Sequence, residues 1–318
     1  MHSSSGRQAG GVDAFLVVAL VAGVGLVLPA CLGGRWREWA VVAACVAVSC
    51  LLARGSVPAV VTALAWPAFG LVVAGRSLAA TGPSPPWRWR VAVGIGMLAC
   101  AYSLVAAAWF VLSRAGATPL GIREPIVALT AVHFTYAGVG ALTLAGTALA
   151  RAPTVATRRL GAAAVLLAAG GPPVVAAGFV TGLAAAQVGG AVLVTAGVCS
   201  TAAAQLHRAA RRPHDRVAAL LVVSGLAPWV PMVLAVAWAA AQYRAGPALS
   251  IPAMIRVHGT LNALGFVGAG LVARAAEGPQ ADAVDGSAAG REARSKPVAR
   301  RASASAPTSR PKSRRATS

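Results

Sequence analysis

Nine apolar runs divide the chain, near residues 12–32, 38–53, 57–75, 91–112, 125–150, 160–181, 184–206, 217–241 and 253–273. A helix needs about 20 such residues to cross roughly 30 Å of hydrocarbon. The second run is short at 16 residues and the fifth long at 26. Composition agrees with this reading. Only 11% of the residues are charged and 57% are hydrophobic, whereas a soluble domain carries about 25% charged residues. A water-soluble surface cannot be built from so few charges, so soluble-enzyme and nucleic-acid readings fail despite a net charge of +20. The first run is too long for the apolar core of a signal peptide, and only Arg7 precedes it; it reads as a permanent helix. The expected fold is an all-α, polytopic transmembrane helical bundle over residues 12–274, with a short N-terminal segment at 1–11.

The basic residues test the count, because short cytoplasmic loops collect Lys and Arg. With the N-terminus outside, the outer segments hold Arg7, Arg54, Arg114, Arg123 and Arg244. The inner loops hold Arg35 and Arg37; Arg76, Arg88 and Arg90; Arg151, Arg158 and Arg159; and Arg208, Arg211, Arg212 and Arg216. That is five against twelve, and an odd number of spans also puts the basic C-terminal end inside. Nine spans, N-out and C-in, is the consistent topology.

Residues 275–318 differ in kind: Ala, Ser, Pro and Arg fill them, and the last 28 carry nine Lys or Arg. Such a segment cannot bury enough surface to offset its chain entropy and is expected to be a disordered, Arg-rich cytoplasmic tail. Its partner is expected to be anionic lipid, at about 1 kcal/mol per cation. Nucleic acid is not expected, since no aromatics are interleaved for stacking. The five cysteines lie in or at the end of apolar runs without a CxxC pair and read as buried small hydrophobes.

Ionisable groups within a membrane are costly unless paired or hydrated, and so mark candidate sites. Two His lie inside spans, His133 in the fifth and His258 in the ninth. Glu124 and Arg256 lie nearer the outer ends of the same two helices. At 1.5 Å per residue His133 is expected about 13 Å below the outer edge and His258 about 8 Å. Every ionisable residue within or capping these spans thus falls in the outer half of the membrane. His133 and Tyr136 share a face, as do His258 and Asn262, while Thr135 points away and Arg256 lies on the far side of its helix. Glu124, Tyr136, Arg256 and Asn262 join the two imidazoles as candidate substrate-binding or proton-relay groups. The plainer alternatives are a capping role for Glu124, before Pro125 at a helix start, and a bond from each His to a neighbouring helix.

Helix breakers add a hint. The sixth span carries Gly170-Gly171-Pro172-Pro173 at its middle, the eighth Pro228 and Pro231, and the third Trp66-Pro67. Unwound helices near the midplane expose backbone groups to substrates in many transporters, although proline is also simply tolerated in membrane helices.

Two segments carry a family resemblance. One runs from Arg123-Glu124-Pro125-Ile126-Val127 through Thr130-Ala131-Val132-His133-Phe134-Thr135-Tyr136-Ala137-Gly138. The other is Arg256-Val257-His258-Gly259-Thr260-Leu261-Asn262-Ala263-Leu264-Gly265-Phe266. Together they resemble the YndJ-like membrane protein family, whose pattern is an acid followed by His-Phe-His-Tyr-Ala-Gly, then a later His-Gly-x-x-Asn-Ala-x-Gly-Phe. Thr135 stands where that pattern often has a second His. The resemblance implies a polytopic bacterial membrane protein with no settled activity, sometimes labelled a transporter.

The leading expectation is therefore a transporter or permease of the bacterial cytoplasmic membrane, with its site between the fifth and ninth helices. An unknown small molecule would be its substrate, and no cofactor is expected. The alternative is a haem- or metal-binding membrane protein with His133 and His258 as ligands. An enzyme is not expected, since no Ser-His-Asp set, pair of intramembrane acids or HExxH motif is present.

Overall fold

The computed structural model describes residues 3–79, 87–243 and 250–278, the side chains of 3–12 and 87–89 excepted. The Arg-rich tail from residue 279 onward and Arg244 lie outside the described residues. The described chain contains no strand and forms nine helical rods. We number them α1 (residues 3–32), α2 (Trp36–Leu51), α3 (Val57–Ala79), α4 (Trp87–Arg114), α5 (Ile126–Ala150), α6 (Val155–Thr181), α7 (Ala184–Ala210), α8 (Arg216–Ala241) and α9 (residues 251–277). Each matches one of the nine apolar runs. Seven of the rods are long and apolar enough to cross a membrane. The other two are α2, which has 16 residues, and α9, which carries Arg256, His258 and Asn262 in its first half.

The rods start where polar side chains can take up unpaired backbone donors. Ser56 accepts from Ala59 N–H, and Ser250 accepts from Ala253 N–H. Thr154 and Thr157 cap α6 reciprocally. Asp215 accepts from Ala218 N–H at 2.7 Å. That bond, with Arg212 beside it, holds the Asp215 carboxyl below the usual carboxylate range.

Three clusters fill the interior, and α5 contributes to the two largest. Trp39, Trp66, Tyr102 and Phe110 pack with Phe134 and Leu142 of α5. Leu144 of α5 packs with Val194 of α7, Met232 of α8 and Phe266 of α9. The outward side chains are also apolar: Leu26, Val41, Leu71, Leu166, Val192 and Val230 are all exposed. A surface of this kind suits hydrocarbon rather than water.

Small residues bring α6 and α7 into very close contact. A Cβ on Gly178 would stand 2.3 Å from Gln187 N, and one on Gly190 would stand 2.5 Å from Val175 N. The two helices join at Gly182, whose φ of 69° is left-handed.

Not every expected helix breaker breaks its helix. Rod α8 is interrupted at Ala227-Pro228, and α3 at Leu64, just before Trp66-Pro67. Rod α6, by contrast, runs unbroken through Pro172 and Pro173. A proline lacks the N–H that would bond the carbonyl four residues earlier. For Pro173 that carbonyl belongs to Ala169, and the Tyr102 hydroxyl of α4 donates to it. A side chain from a neighbouring helix thus satisfies the group that the proline leaves open.

Polar contacts sort into two ends of the bundle. At one end Arg76 of α3 meets Glu38 of α2 at 2.9 Å, and Arg274 of α9 donates to Ala30 O of α1 at 2.7 Å. At this same end Glu277, closing α9, pairs with Arg151 after α5 and with Arg208 of α7 and Arg212. At the other end Arg114 of α4 donates to Leu52 O at 2.6 Å, and Arg54 faces Glu124 at 3.9 Å. The ends of α1, α3, α5, α7 and α9 therefore alternate with those of the even rods.

Candidate functional site

The helices that carry the two imidazoles are locally widened. Thr260 N–H bonds Ile255 O, and Ala269 N–H bonds Leu264 O, both five residues back. These are π-helical turns, and α5 has one over Phe134–Ala141 and α1 another over Gly23–Val27. Such turns are rare and occur often at functional sites.

His133 is seven residues beyond Ile126, where α5 begins, and His258 is seven beyond Ile251, where α9 begins. Seven helical residues span about 10 Å, so the two imidazoles stand at matching distances from their helix starts. The sequence places His258 shallower because it starts the fifth helix one residue early, at 125, and the ninth two residues late, at 253.

Both line one cavity of about 480 Å³, among side chains of α1 and α4–α9. Phe15, Ile126, Phe179, Gln187, Trp238 and Ile251 mark its position. These residues lie in the first half of α1, near the starts of α5, α7 and α9 and near the ends of α6 and α8, so the cavity sits toward the Arg54–Glu124 end. Tyr136 and Asn262 line it as well. Four of the six candidate residues are thus brought together. Glu124 and Arg256 are not among the lining residues. Glu124 instead accepts from Ala128 N–H at 3.2 Å and from the Ser113 hydroxyl, which is the work of a helix cap. Arg256 is exposed.

The hydrogen bonds orient the site. His258 Nδ1 lies 2.8 Å from Pro231 O of α8. A carbonyl can only accept, so Nδ1 carries the proton, and in the neutral ring Nε2 is left with its lone pair. The Asn262 amide nitrogen donates to His258 O at 2.9 Å; its 3.4 Å approach to Nδ1 sets two donors side by side and is not a hydrogen bond. Asn262 Oδ1 is buried with no hydrogen-bond partner among the described residues. The Tyr136 hydroxyl donates to Ala19 O of α1 at 3.1 Å. His133 makes no hydrogen bond to the described residues, and its ring stands edge-on to Phe134, 6.3 Å between centroids. Thr135, on the opposite side of α5 as expected, is buried against α1, where a Cβ on Gly23 would come within 2.9 Å of its methyl.

The two motifs that carry these residues fall within one family match, to the YndJ-like proteins over residues 14–266. The chain belongs to the YndJ-like family. In this YndJ-like protein the match spans most of the bundle, from within α1 into α9, and takes in every residue of the cavity lining except Val267. Comparison with curated proteins and with solved structures gave no match.

Two features escape sequence reasoning. Gln187, a buried lining residue, accepts from the Tyr243 hydroxyl; as a lone amide near the start of the seventh span it was open to the same depth argument as the histidines. Glu277 reads in sequence as part of the tail, yet its side chain is 3% exposed among three Arg. Among the described residues no group of three or more His, Cys, Asp or Glu is placed to hold a metal.

Proposed function

We propose that this YndJ-like protein is a nine-span transporter or permease of the bacterial cytoplasmic membrane, N-terminus outside and C-terminus inside. Its substrate enters the α5–α9 cavity from the outer face. The observation that carries this reading is the meeting of His133, Tyr136, His258 and Asn262 on one cavity near the helix starts. The sorting of ion pairs into two ends supports the alternation that nine spans require. With twelve basic residues in the inner loops, the Glu277 end is cytoplasmic, and the tail beyond it lies on anionic lipid. The interruption of α8 at Ala227-Pro228, beside the cavity, supplies a hinge.

The test is accessibility. In a cysteine-free background, Ala137→Cys and Ala263→Cys are probed with a membrane-impermeant maleimide in right-side-out and inverted vesicles. Labelling from the outside, with a minor component from the inside, is expected of alternating access. Labelling from the inside alone would end the outward-open reading.

One observation favours a second reading, haem or a metal held between His133 and His258. The bond to Pro231 leaves His258 Nε2 free as a ligand. The absorption spectrum and metal content of the purified protein decide between the two. A Soret band lost in His133→Ala or His258→Ala would replace the transport reading.

A further inference from the structure

The cavity lining has a one-sided chemistry. Trp109, Leu129, Phe179, Met232 and Ile255 are typical of it, and no Asp, Glu, Lys or Arg lines it among the described residues. A charged occupant would have no counter-ion there, and an unpaired charge in such surroundings costs several kcal/mol. A largely apolar occupant would instead exchange hydrocarbon contacts for similar ones.

Around His258 the polar groups are largely spent as donors, although His133 keeps a ring N–H and Gln187 its amide N–H groups without a partner among the described residues. Thr130 Oγ1 donates to Ile126 O at 2.8 Å, and the Tyr136 hydroxyl to Ala19 O. His258 Nδ1–H donates to Pro231 O, and the Asn262 amide to His258 O. What these groups still offer is acceptor capacity: the Nε2 lone pair of His258 and the hydroxyl lone pairs of Tyr136 and Thr130. His258 Nε2 makes no hydrogen bond to the described residues and is not among their buried unpartnered atoms, so it opens on free space. To bond His258 Nε2 the occupant must bring the donor.

We infer that the cavity binds an uncharged, predominantly apolar molecule with one hydroxyl or similar neutral donor, which bonds His258 Nε2. This rests on the reading of the cavity as the substrate site and names the class of substrate. The volume of about 480 Å³ falls within the usual range for small-molecule sites, about 300–1,000 Å³.

The test uses full-length protein in nanodiscs, titrated calorimetrically with 1-decanol, its methyl ether, decanoate and decylammonium, with empty nanodiscs subtracted. Wild type is expected to bind decanol at least tenfold tighter than either charged probe and about fivefold tighter than the ether. His258→Ala is expected to abolish the preference for the alcohol over the ether. Ala235→Trp, which fills the cavity from α8, is expected to abolish binding of all four; retention of the wild-type melting temperature shows that this variant is folded. Decanoate or decylammonium binding as tightly as decanol would overturn the inference and leave the cavity reading standing. So would an alcohol preference that survives His258→Ala. Saturable binding by none of the probes, or binding unaffected by a folded Ala235→Trp, would overturn both.

Discussion

His258 Nδ1 donates to the carbonyl oxygen of Pro231 across 2.8 Å, tying α9 to α8 within the widened part of α9. This bond decides what the imidazole presents to the cavity. It makes the ring a Nδ1–H tautomer, with a neutral acceptor at Nε2. Nitrogen-15 spectra of His-labelled protein at neutral pH should show His258 with Nδ1 protonated and Nε2 bare. The opposite tautomer would remove the basis for the ligand class. The tie itself contributes about 1 kcal/mol to stability, so His258→Phe should lower the melting temperature only modestly.

Tyr102 and Pro173 form a coupled pair through the Ala169 carbonyl. Tyr102→Phe strands that carbonyl and is expected to cost about 1–3 kcal/mol. Pro173→Ala restores an N–H four residues along the helix, so in that background Tyr102→Phe should cost much less. A thermal-unfolding double-mutant cycle with no coupling would contradict this account of the unbroken α6.

The α6–α7 contact depends on the absent side chain of Gly178. A Cβ there meets Gln187 backbone at 2.3 Å, whereas one on Gly170 meets nothing within 4 Å. Gly178→Val should destabilise by about 1–3 kcal/mol or more, and Gly170→Ala should be neutral or slightly stabilising. Equal melting temperatures for the two variants would contradict the packing.

Glu277 is buried facing Arg151, Arg208 and Arg212. Removing one partner of a buried ion pair costs about 3–5 kcal/mol. Glu277→Gln should approach that loss, and Arg151→Gln in the same chain should recover part of it. A Glu277→Gln variant as stable as wild type would mean that the cluster is hydrated rather than buried.

Much of the architecture is legible in the chain. The nine apolar runs give nine rods because apolar length is a local property. That His133 and His258 both lie within the first part of their helices is legible for the same reason, since it depends only on where those helices begin. What escapes depends on partners far away in sequence. Pro172-Pro173 reads as a break because nothing local reveals that Tyr102 will supply a donor from α4. Glu277 reads as tail because its three Arg partners come from two distant segments, after α5 and at the end of α7. Glu124 and Arg256 join the site on depth alone, but depth does not fix azimuth. Glu124 turns to cap α5, and Arg256 faces away from the cavity that His258 lines.

The central claim, that His133 and His258 face one another across a single cavity, is tested most directly by cross-linking. With Cys31, Cys45, Cys50, Cys100 and Cys199 replaced by Ala, His133→Cys and His258→Cys are combined. Thiol-specific linkers of graded length are then applied to right-side-out vesicles. The account predicts one intramolecular bridge, seen by mass spectrometry after proteolysis and blocked when Ala235→Trp fills the cavity. Modification of each cysteine singly, with no bridge at any linker length, would contradict it.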